Sequence, residues 1–171
     1  MRIETERLLI TDFQADMAEA VHRNSLDEDN RRFVPDEVFE TVEEAREVVT
    51  FLMGQYGGTE GPFVHPILLK SGENIGYVQL VKLPEGWELG YHVAQEYTSR
   101  GYATEAVRAF LPVMAETKEL LRNSKKEIFA VENCGMETEK LYRSLEEIPD
   151  DAGYLSLLIA KDPAGKDHAA S

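Results

Sequence analysis

The clearest alternation of apolar and polar positions lies between residues 41 and 57. Thr41 and Glu44 have the spacing of a capping box, in which the Thr hydroxyl and the Glu carboxylate satisfy free amides at a helix start. The apolar residues behind them fall on one face at helical spacing: Val42, Ala45, Val48, Val49, Leu52, Met53 and Tyr56. This pattern predicts an amphipathic helix that ends at Gly57-Gly58.

Shorter apolar runs predict the elements on either side of this helix. Residues 8–11 predict a strand, and the stripe Met17, Ala20 and Val21 predicts an amphipathic helix after it. The charged segment 25–39 is expected to form an ordered loop or a short helix. Three strands joined by short turns then predict an antiparallel meander: residues 63–69, 75–83 and 87–93.

A second long helix is predicted over residues 102–121, with a kink at Pro112 because proline removes an amide from the helix interior. Its inward positions are Ala106, Val107, Phe110, Val113 and Met114. A strand at 127–131, a helix at 135–145 and a final strand at 153–160 follow, and the polar tail 161–171 is expected to fray. Since a single strand follows the last helix, we expect that strand to be incomplete or completed by a partner subunit, leaving an exposed edge.

Together these elements predict an α/β fold with a mixed, mostly antiparallel sheet flanked by helices. The length of 171 residues predicts one domain over residues 1–171. The chain has 18 Lys and Arg against 32 Asp and Glu, a net charge of −14. Such a surface disfavours nucleic acids and anionic membranes as partners, since both are bound through basic clusters. It is also compatible with a cationic substrate such as an amine, although an ordinary solvated surface is the favoured explanation of the charge.

The cysteine content and the N-terminal sequence bear on the compartment. Cys134 is the single cysteine, so an intrachain disulfide is excluded and a reducing environment is expected. The first seven residues contain acids and lack the apolar run of a signal peptide. The most apolar stretch, residues 106–115, is interrupted by Arg108 and Pro112 and is too short to span a bilayer. We therefore expect a cytoplasmic protein.

The segment most informative about chemistry runs from the strand at 87–93 into the helix at 102. Free amides and the positive dipole end of a helix start together form a site for a phosphate group. Gly101 and Ala103 are small enough for phosphate oxygens to approach the backbone, and Arg100 adds a positive charge. An ordinary glycine turn into a helix is the alternative interpretation of these residues taken alone.

The block from Gly86 to Pro112 resembles the acetyl-coenzyme A motif of the GNAT superfamily of N-acetyltransferases, Gln/Arg-x-x-Gly-x-Gly/Ala. It falls on residues 98–103, with Thr98 in place of the usual Gln or Arg. The extension Gly-Tyr-Ala-Thr-Glu-Ala is typical of the Rim-like branch, named for enzymes that acetylate ribosomal-protein N termini. The opening phrase of residues 4–10 and Ile75-Gly76-Tyr77 also resemble that branch, so the similarity spans residues 3–116.

Beyond residue 116 the sequence departs from the family pattern. Met136 replaces a small residue, Leu141-Tyr142 stands two residues later than usual, and Glu146-Glu147 occupies the place of a Gly-Phe pair. This departure motivates a second hypothesis, a catalytically degenerate module with the GNAT fold that binds coenzyme A without transferring the acetyl group. A third hypothesis is an interaction domain that keeps the fold but does not bind the cofactor.

The resemblance implies acetyl-coenzyme A as co-substrate and direct attack of a neutral amine on its thioester. Backbone groups of His92 and Val93 are implied to pair with the pantetheine arm, and Asn133 to contact it. The residues implied to hold the pyrophosphate are Arg100, Gly101, Tyr102, Ala103 and Thr104. Asn133 stands after a strand, as in the family pattern.

The family pattern also suggests residues for proton transfer and for acceptor binding. Glu88 is implied as the base, against the alternative of a structural strand carboxylate, and Tyr142 as the group that protonates the leaving thiolate, against the alternative of a packed aromatic. The acceptor-lining candidates, for which surface charge is the alternative, are Arg31, Arg32 and Phe33. The four His residues have no metal-ligand spacing, so no metal is expected. The acceptor amine stays open, and a homodimer is possible.

Overall fold

The computed structural model describes residues 1–33, 35–84, 86–117, 127–132, 140–142, 147 and 155–160. Their strands are β1 (Arg2–Glu4), β2 (Leu8–Thr11), β3 (Phe63–Leu69), β4 (Asn74–Leu83), β5 (Gly86–Val93), β6 (Glu127–Glu132), β7 (Lys140–Tyr142) and β8 (Leu155–Ala160). Their α helices are α1 (Ala18–Ser25), α2 (Glu28–Phe33), α3 (Val42–Gln55) and α4 (Tyr102–Thr117). Short 3₁₀ turns occupy Ala15–Met17, Pro35–Glu37 and Gln95–Tyr97.

The described strands form a single sheet in the order β1-β2-β3-β4-β5-β8-β6-β7. Each of the seven neighbouring pairs among them is antiparallel. The predicted α/β fold with a mostly antiparallel sheet is therefore confirmed. The meander β3-β4-β5 forms its centre, because short turns join strands whose neighbours in sequence are also neighbours in space.

The prediction for the end of the chain is wrong in two respects. β8 pairs with β5 on one side and with β6 on the other, so the last described strand is interior rather than an incomplete edge. Residues 140–142, predicted to be helical, form the edge strand β7 against β6. The alternating hydrophobic signal of a three-residue strand is too short to distinguish it from a helix by periodicity. The rest of the predicted helix 135–145, apart from those residues, and the tail 161–171 lie outside the described residues.

Helix α3 begins as its sequence predicts. The Thr41 side chain accepts a hydrogen bond from the Glu44 amide, and the Glu44 carboxylate accepts one from the Thr41 amide. The predicted apolar stripe is confirmed at Ala45, Val49 and Leu52, which are buried. Met53 is 39% exposed, against the prediction. It lies about 40° further round the helix than Val49, past the edge of the buried stripe.

The two faces of the sheet bury different apolar clusters. On one face Trp87, Leu89 and Val93 of β5 pack in the cluster that contains the buried side of α4. The other face carries Val64, packed with residues of α3 and with Tyr77. In α4 the predicted core residues Ala106, Val107, Phe110 and Met114 are confirmed, whereas Val113 is half-buried and Leu111 is buried in its place. Pro112 lies inside α4, as predicted, and the kink stays a prediction.

No helix within the described ranges is both long enough and apolar enough to cross a membrane.

Candidate active site

The connection from β5 to α4 has the backbone of an anion-binding loop. Ser99 and Gly101 both have positive φ, at 59° and 76°, so the chain reverses on either side of Arg100. The Glu105 amide donates to the Gly101 carbonyl over 3.0 Å, closing the first turn of α4. The amides of residues 101–104 precede that bond and are the donors that a helix start leaves without intrahelical partners. Together with the helix dipole they can hold a phosphate.

Two residues of this loop, Gly101 and Ala103, have no side chain or a small one. Gly101 and Ala103 are half-buried, and Thr104 is buried. The Arg100 side chain is exposed, with its guanidinium carbon 5.7 Å from the centre of the Tyr97 ring. Arg100 is therefore placed to add a positive charge at the mouth of the loop.

An ion pair joins Arg7, near the N terminus, to Glu105 in the first turn of α4. The Arg7 Nε donates to Glu105 Oε2 over 2.6 Å, and the Thr5 hydroxyl donates to Glu105 Oε1 over 2.5 Å. Burial would raise the pKa of Glu105, but hydrogen bonds from Thr5 and Arg7 and the Arg7 charge outweigh it and lower this pKa. Sequence reasoning missed the cluster, although both of its halves lie in the motifs that carry the resemblance.

A second feature of the site is an opening in the sheet beside β5. Pairing between β5 and β8 runs from Gly86↔Ala160 to Leu89↔Leu157 and stops there. The next β8 residues pair with β6 alone. Residues 90–93 keep their pairing with β4 but have no paired strand on the other side among the described residues. His92 and Val93 thus belong to a strand edge whose backbone groups can pair with an extended ligand arm.

The side chains of β5 alternate between the two faces of the sheet, as in any strand. Glu88 is exposed, while its neighbours Trp87 and Leu89 are buried on the opposite face. His92 shares the Glu88 face by the two-residue period of a strand. Its Nε2 lies 3.2 Å from the Asp27 carboxylate, and both side chains are largely buried. The Tyr77 ring stands 5.7 Å from the imidazole.

Two acidic side chains of the segment between α1 and α3 reach this same face. Asp27 contacts His92, and Glu37 accepts a hydrogen bond from the Tyr77 hydroxyl. Arg31, a predicted acceptor residue, instead forms a bidentate pair with Glu40 on the exposed surface, with bonds of 2.5 and 3.1 Å. This pair lowers the pKa of Glu40. The segment therefore presents acids, rather than Arg31, to the β4–β5 face.

The remaining predicted site residues are described to different extents. Arg32 and Phe33 belong to α2 by their backbone, and Asn133 lies outside the described residues. Tyr142 sits on β7, opposite Ala130, and packs against the core cluster. β7 is three strand spacings from β5, about 14 Å at the usual separation of strands. The structure does not bring Tyr142 beside Glu88.

Within the part of the chain that the structure describes, no three His, Cys, Asp or Glu side chains are grouped so that they could hold a metal ion.

Comparison with known proteins identifies relatives and similar structures. A curated relative, the uncharacterized N-acetyltransferase YnaD of Bacillus subtilis, is 28% identical over 151 residues, which cover 86% of this chain and 81% of YnaD. An acetyltransferase of the GNAT family from Bacillus anthracis has a similar structure, with a TM-score of 0.61 and 28% identity over 78% of this chain and 75% of that one.

A more distant structure, of a putative ribosomal-protein-serine acetyltransferase from Vibrio cholerae, shares the fold at 20% identity and a TM-score of 0.61. The match covers 93% of this chain and 97% of the Vibrio cholerae chain. The sequence profile described as Acetyltransferase (GNAT) domain matches residues 7–133, about three quarters of the chain. The match begins at Arg7 and includes α4, β5 and the loop between them. This chain belongs to the GNAT acetyltransferase family.

Proposed function

We propose that this protein transfers the acetyl group of acetyl-coenzyme A to a primary amine, on a protein N terminus or on a small molecule. Membership of the GNAT family makes acetyl transfer the general activity. The observation that carries the proposal is the adjacency of two features. The free amides at the start of α4 follow the strand edge at residues 90–93 after a connection of seven residues, 94–100, and that edge has no paired strand on one side among the described residues.

These two features match the two chemically different parts of coenzyme A. The pyrophosphate requires amide donors and positive charge, which residues 101–104 and Arg100 supply. The pantetheine arm carries amide groups that can pair with backbone groups of His92 and Val93, as another strand would. Asn133 remains the proposed further contact of the arm. The arm then runs along β5 from the loop towards Glu88.

The chemistry needs few groups from the protein. The neutral amine nitrogen attacks the thioester carbonyl, the C–N bond forms, the C–S bond breaks, and the thiolate of coenzyme A leaves. The amine must lose a proton, and the thiolate gains one. Glu88 is the proposed proton acceptor, since its carboxylate lies on the strand that borders the arm and on the face opposite α4. A positioned base of this kind contributes roughly 10²- to 10⁴-fold in rate.

Charge on the Glu88 face supports an amine as acceptor. Asp27 and Glu37 reach this face from the segment between α1 and α3, and the chain has a net charge of −14. A negative field raises the local concentration of cations and speeds their association. An ammonium group would be attracted to this face and would then give up a proton before attack.

Binding and turnover test the proposal separately. Coenzyme A at 100 times its Kd should stabilise the native state by about 2.7 kcal/mol, which thermal unfolding detects. Release of free thiol is then measured with peptides bearing free N termini, polyamines, aminoglycosides and amino acids. Stabilisation with turnover of one amine class supports the proposal. Stabilisation without turnover of any class favours the module that binds coenzyme A only. No stabilisation would refute the cofactor site itself.

A further inference from the structure

We infer that Arg7 is a positioning residue for coenzyme A: it holds the loop of residues 99–104 in the shape that receives the phosphates. The inference rests on the proposed function, because it concerns the same cofactor site. Arg7 does not belong to the loop and lies more than 90 residues before it in sequence. Its effect on the ligand would therefore be exerted through the loop.

Arg7 contacts the loop at several points. Its Nη1 donates to the Arg100 carbonyl over 2.9 Å, and its Nε donates to Glu105 over 2.6 Å. Its backbone amide donates to the same carboxylate over 3.0 Å. The guanidinium carbon lies 4.7 Å from the centre of the Tyr102 ring. The planar fork of the guanidinium thus joins the carbonyl before α4 to the first turn of α4.

The carbonyl that Arg7 holds is the sensitive point of the loop. Arg100 stands between Ser99 and Gly101, which both have positive φ. Positive φ in a residue other than glycine costs roughly 1–3 kcal/mol and persists when surrounding contacts enforce it. Residues 98–100 are exposed, so burial does little to fix them. The hydrogen bond from Arg7 therefore supplies a restraint that packing does not.

Charge gives a second reason for the contact. Glu105 lies in the first turn of α4, beside the amides that would hold a pyrophosphate. An uncompensated carboxylate there would repel the phosphate groups, since like charges at short range oppose each other by several kcal/mol in a partly buried site. Arg7 and the Thr5 hydroxyl donate hydrogen bonds to this carboxylate, and the Arg7 charge compensates it. The Glu105 side chain is 17% exposed.

The test compares coenzyme A with pantetheine, which lacks the phosphates together with the adenosine they carry. Both ligands have the same arm and thiol, so contacts of the arm are common to them, whereas contacts of the phosphates and the adenosine are made by coenzyme A alone. Ligand-observed NMR titrations give both Kd values for the wild type, for Arg7→Ala and for Arg7→Lys. The matched control is Arg2→Ala, which removes the same charge from the same N-terminal segment but from an exposed pair with Glu4.

The expected result is a loss specific to coenzyme A. Arg7→Ala should reduce the preference for coenzyme A over pantetheine by roughly 10- to 100-fold, the range of one charge-assisted hydrogen bond, with pantetheine affinity unchanged. Arg7→Lys keeps the charge without the fork and should lose part of the preference. Arg2→Ala should keep all of it.

Three results would overturn the inference. Equal weakening of both ligands by Arg7→Ala would make Arg7 a general structural residue. Full preference retained by Arg7→Lys would mean that charge at this position suffices, without positioning by the fork. A wild type with no preference for coenzyme A would refute the phosphate site, and the proposed function would lose its cofactor site independently of any Arg7 variant. Should Arg7→Ala fail to fold, the Kd values of Arg7→Lys carry the test. Neither Kd measurement requires the acceptor amine to be known.

Discussion

Gly76 of β4 lies directly against the carbonyl group of His92 in β5, so that a Cβ atom added to Gly76 would stand 2.0 Å from that oxygen. The φ of Gly76 is 153°, a conformation that side chains rarely adopt. Gly76 pairs with Val93 in the sheet, at the point where β5 turns towards the phosphate loop. The glycine is therefore required by a close approach of two backbones beside the proposed cofactor edge.

Gly76→Ala should destabilise the protein and displace residues 92 and 93. We expect a loss of about 2–4 kcal/mol in the free energy of unfolding, from backbone strain and overpacking together, and weaker coenzyme A binding. Chemical denaturation and calorimetry measure the two effects. Gly72→Ala is the control, since Gly72 also has positive φ, 92°, but nothing lies within 4 Å of its added Cβ. Equal effects of the two substitutions would show that strain alone, and no contact with His92, is responsible.

Ala103→Glu should remove coenzyme A binding. The new carboxylate would stand among the amides of residues 101–104, where repulsion from a phosphate amounts to about 4 kcal/mol at 4 Å in a partly screened site, or more than about 100-fold in Kd. Gln95→Glu makes the same change in charge at an exposed position before the loop and should keep its affinity. Calorimetry measures the Kd for coenzyme A in both variants. An unchanged Kd for Ala103→Glu would mean that the pyrophosphate binds elsewhere.

Tyr142→Phe tests a role that the resemblance implies and that the position of β7 disfavours. Removing the acid that protonates the thiolate would lower kcat by roughly 10²- to 10⁴-fold. Because Tyr142 lies three strand spacings from β5 and packs on the core, we expect a change of less than about threefold. Steady-state kinetics with the identified amine measure it. A large fall in kcat at unchanged stability would restore Tyr142 as the acid.

The Arg7–Glu105 cluster should contribute stability that depends on pH. The pKa of Glu105 is lowered in the folded protein, where burial is outweighed by hydrogen bonds from Thr5 and Arg7. A lowered folded pKa means that the stability is present above the unfolded pKa of about 4.3 and is lost as pH falls through the folded value. Glu105→Gln should therefore be less stable than the wild type by about 1 kcal/mol at pH 7, and the difference should shrink in acid.

Thermal unfolding of the wild type and Glu105→Gln from pH 7 down to about pH 3 follows this difference. A gap that stays constant over the whole range would mean that the carboxylate charge is not what stabilises the cluster. Arg46→Ala, which breaks an exposed pair with Glu43 on α3, serves as the control and should have almost no effect at any pH.

The sequence predicted local elements well because local periodicity reports which side of a helix or strand is buried. The Thr41–Glu44 capping box is confirmed in detail, and the strand predicted at residues 87–93 is confirmed as part of β5. The family and the loop before α4 were also recognisable, since consecutive residues carry their signature.

Long-range relationships were not predictable in the same way. Arg7 and Glu105 are far apart in sequence, and no local sequence pattern around either residue identifies the other as its partner. The insertion of β8 between β5 and β6 is likewise decided by competition among strand edges, which hydrophobic alternation does not encode. Tyr142 shows the consequence, because it was predicted to lie on a helix and instead lies on a three-residue edge strand, while its proposed role in protonating the thiolate stays a prediction.

The mechanism depends on whether Glu88 accepts the proton of the amine. Glu88 pairs with Val81 on one side and with Leu158 on the other, so its backbone is fixed one residue before the last β5–β8 pair, Leu89↔Leu157. Its carboxylate is exposed on the face opposite α4, where an amine can approach the end of the pantetheine arm. We expect Glu88→Gln to lower kcat by roughly 10²- to 10⁴-fold and to leave the Kd for coenzyme A unchanged. Gln has nearly the same shape, so the sheet should not be disturbed.

The pH profile separates proton transfer from other roles of this carboxylate. At high pH a larger fraction of the acceptor amine is already neutral, so Glu88→Gln should recover part of its lost rate there. Glu96→Gln, which removes an exposed carboxylate from the 3₁₀ turn after β5, is the control for a change in net charge and should keep wild-type rates. Full activity of Glu88→Gln at every pH would make Glu88 a structural carboxylate and leave water or another residue as the base. Loss of coenzyme A affinity in the same variant would instead locate the effect in the strand edge that holds the cofactor.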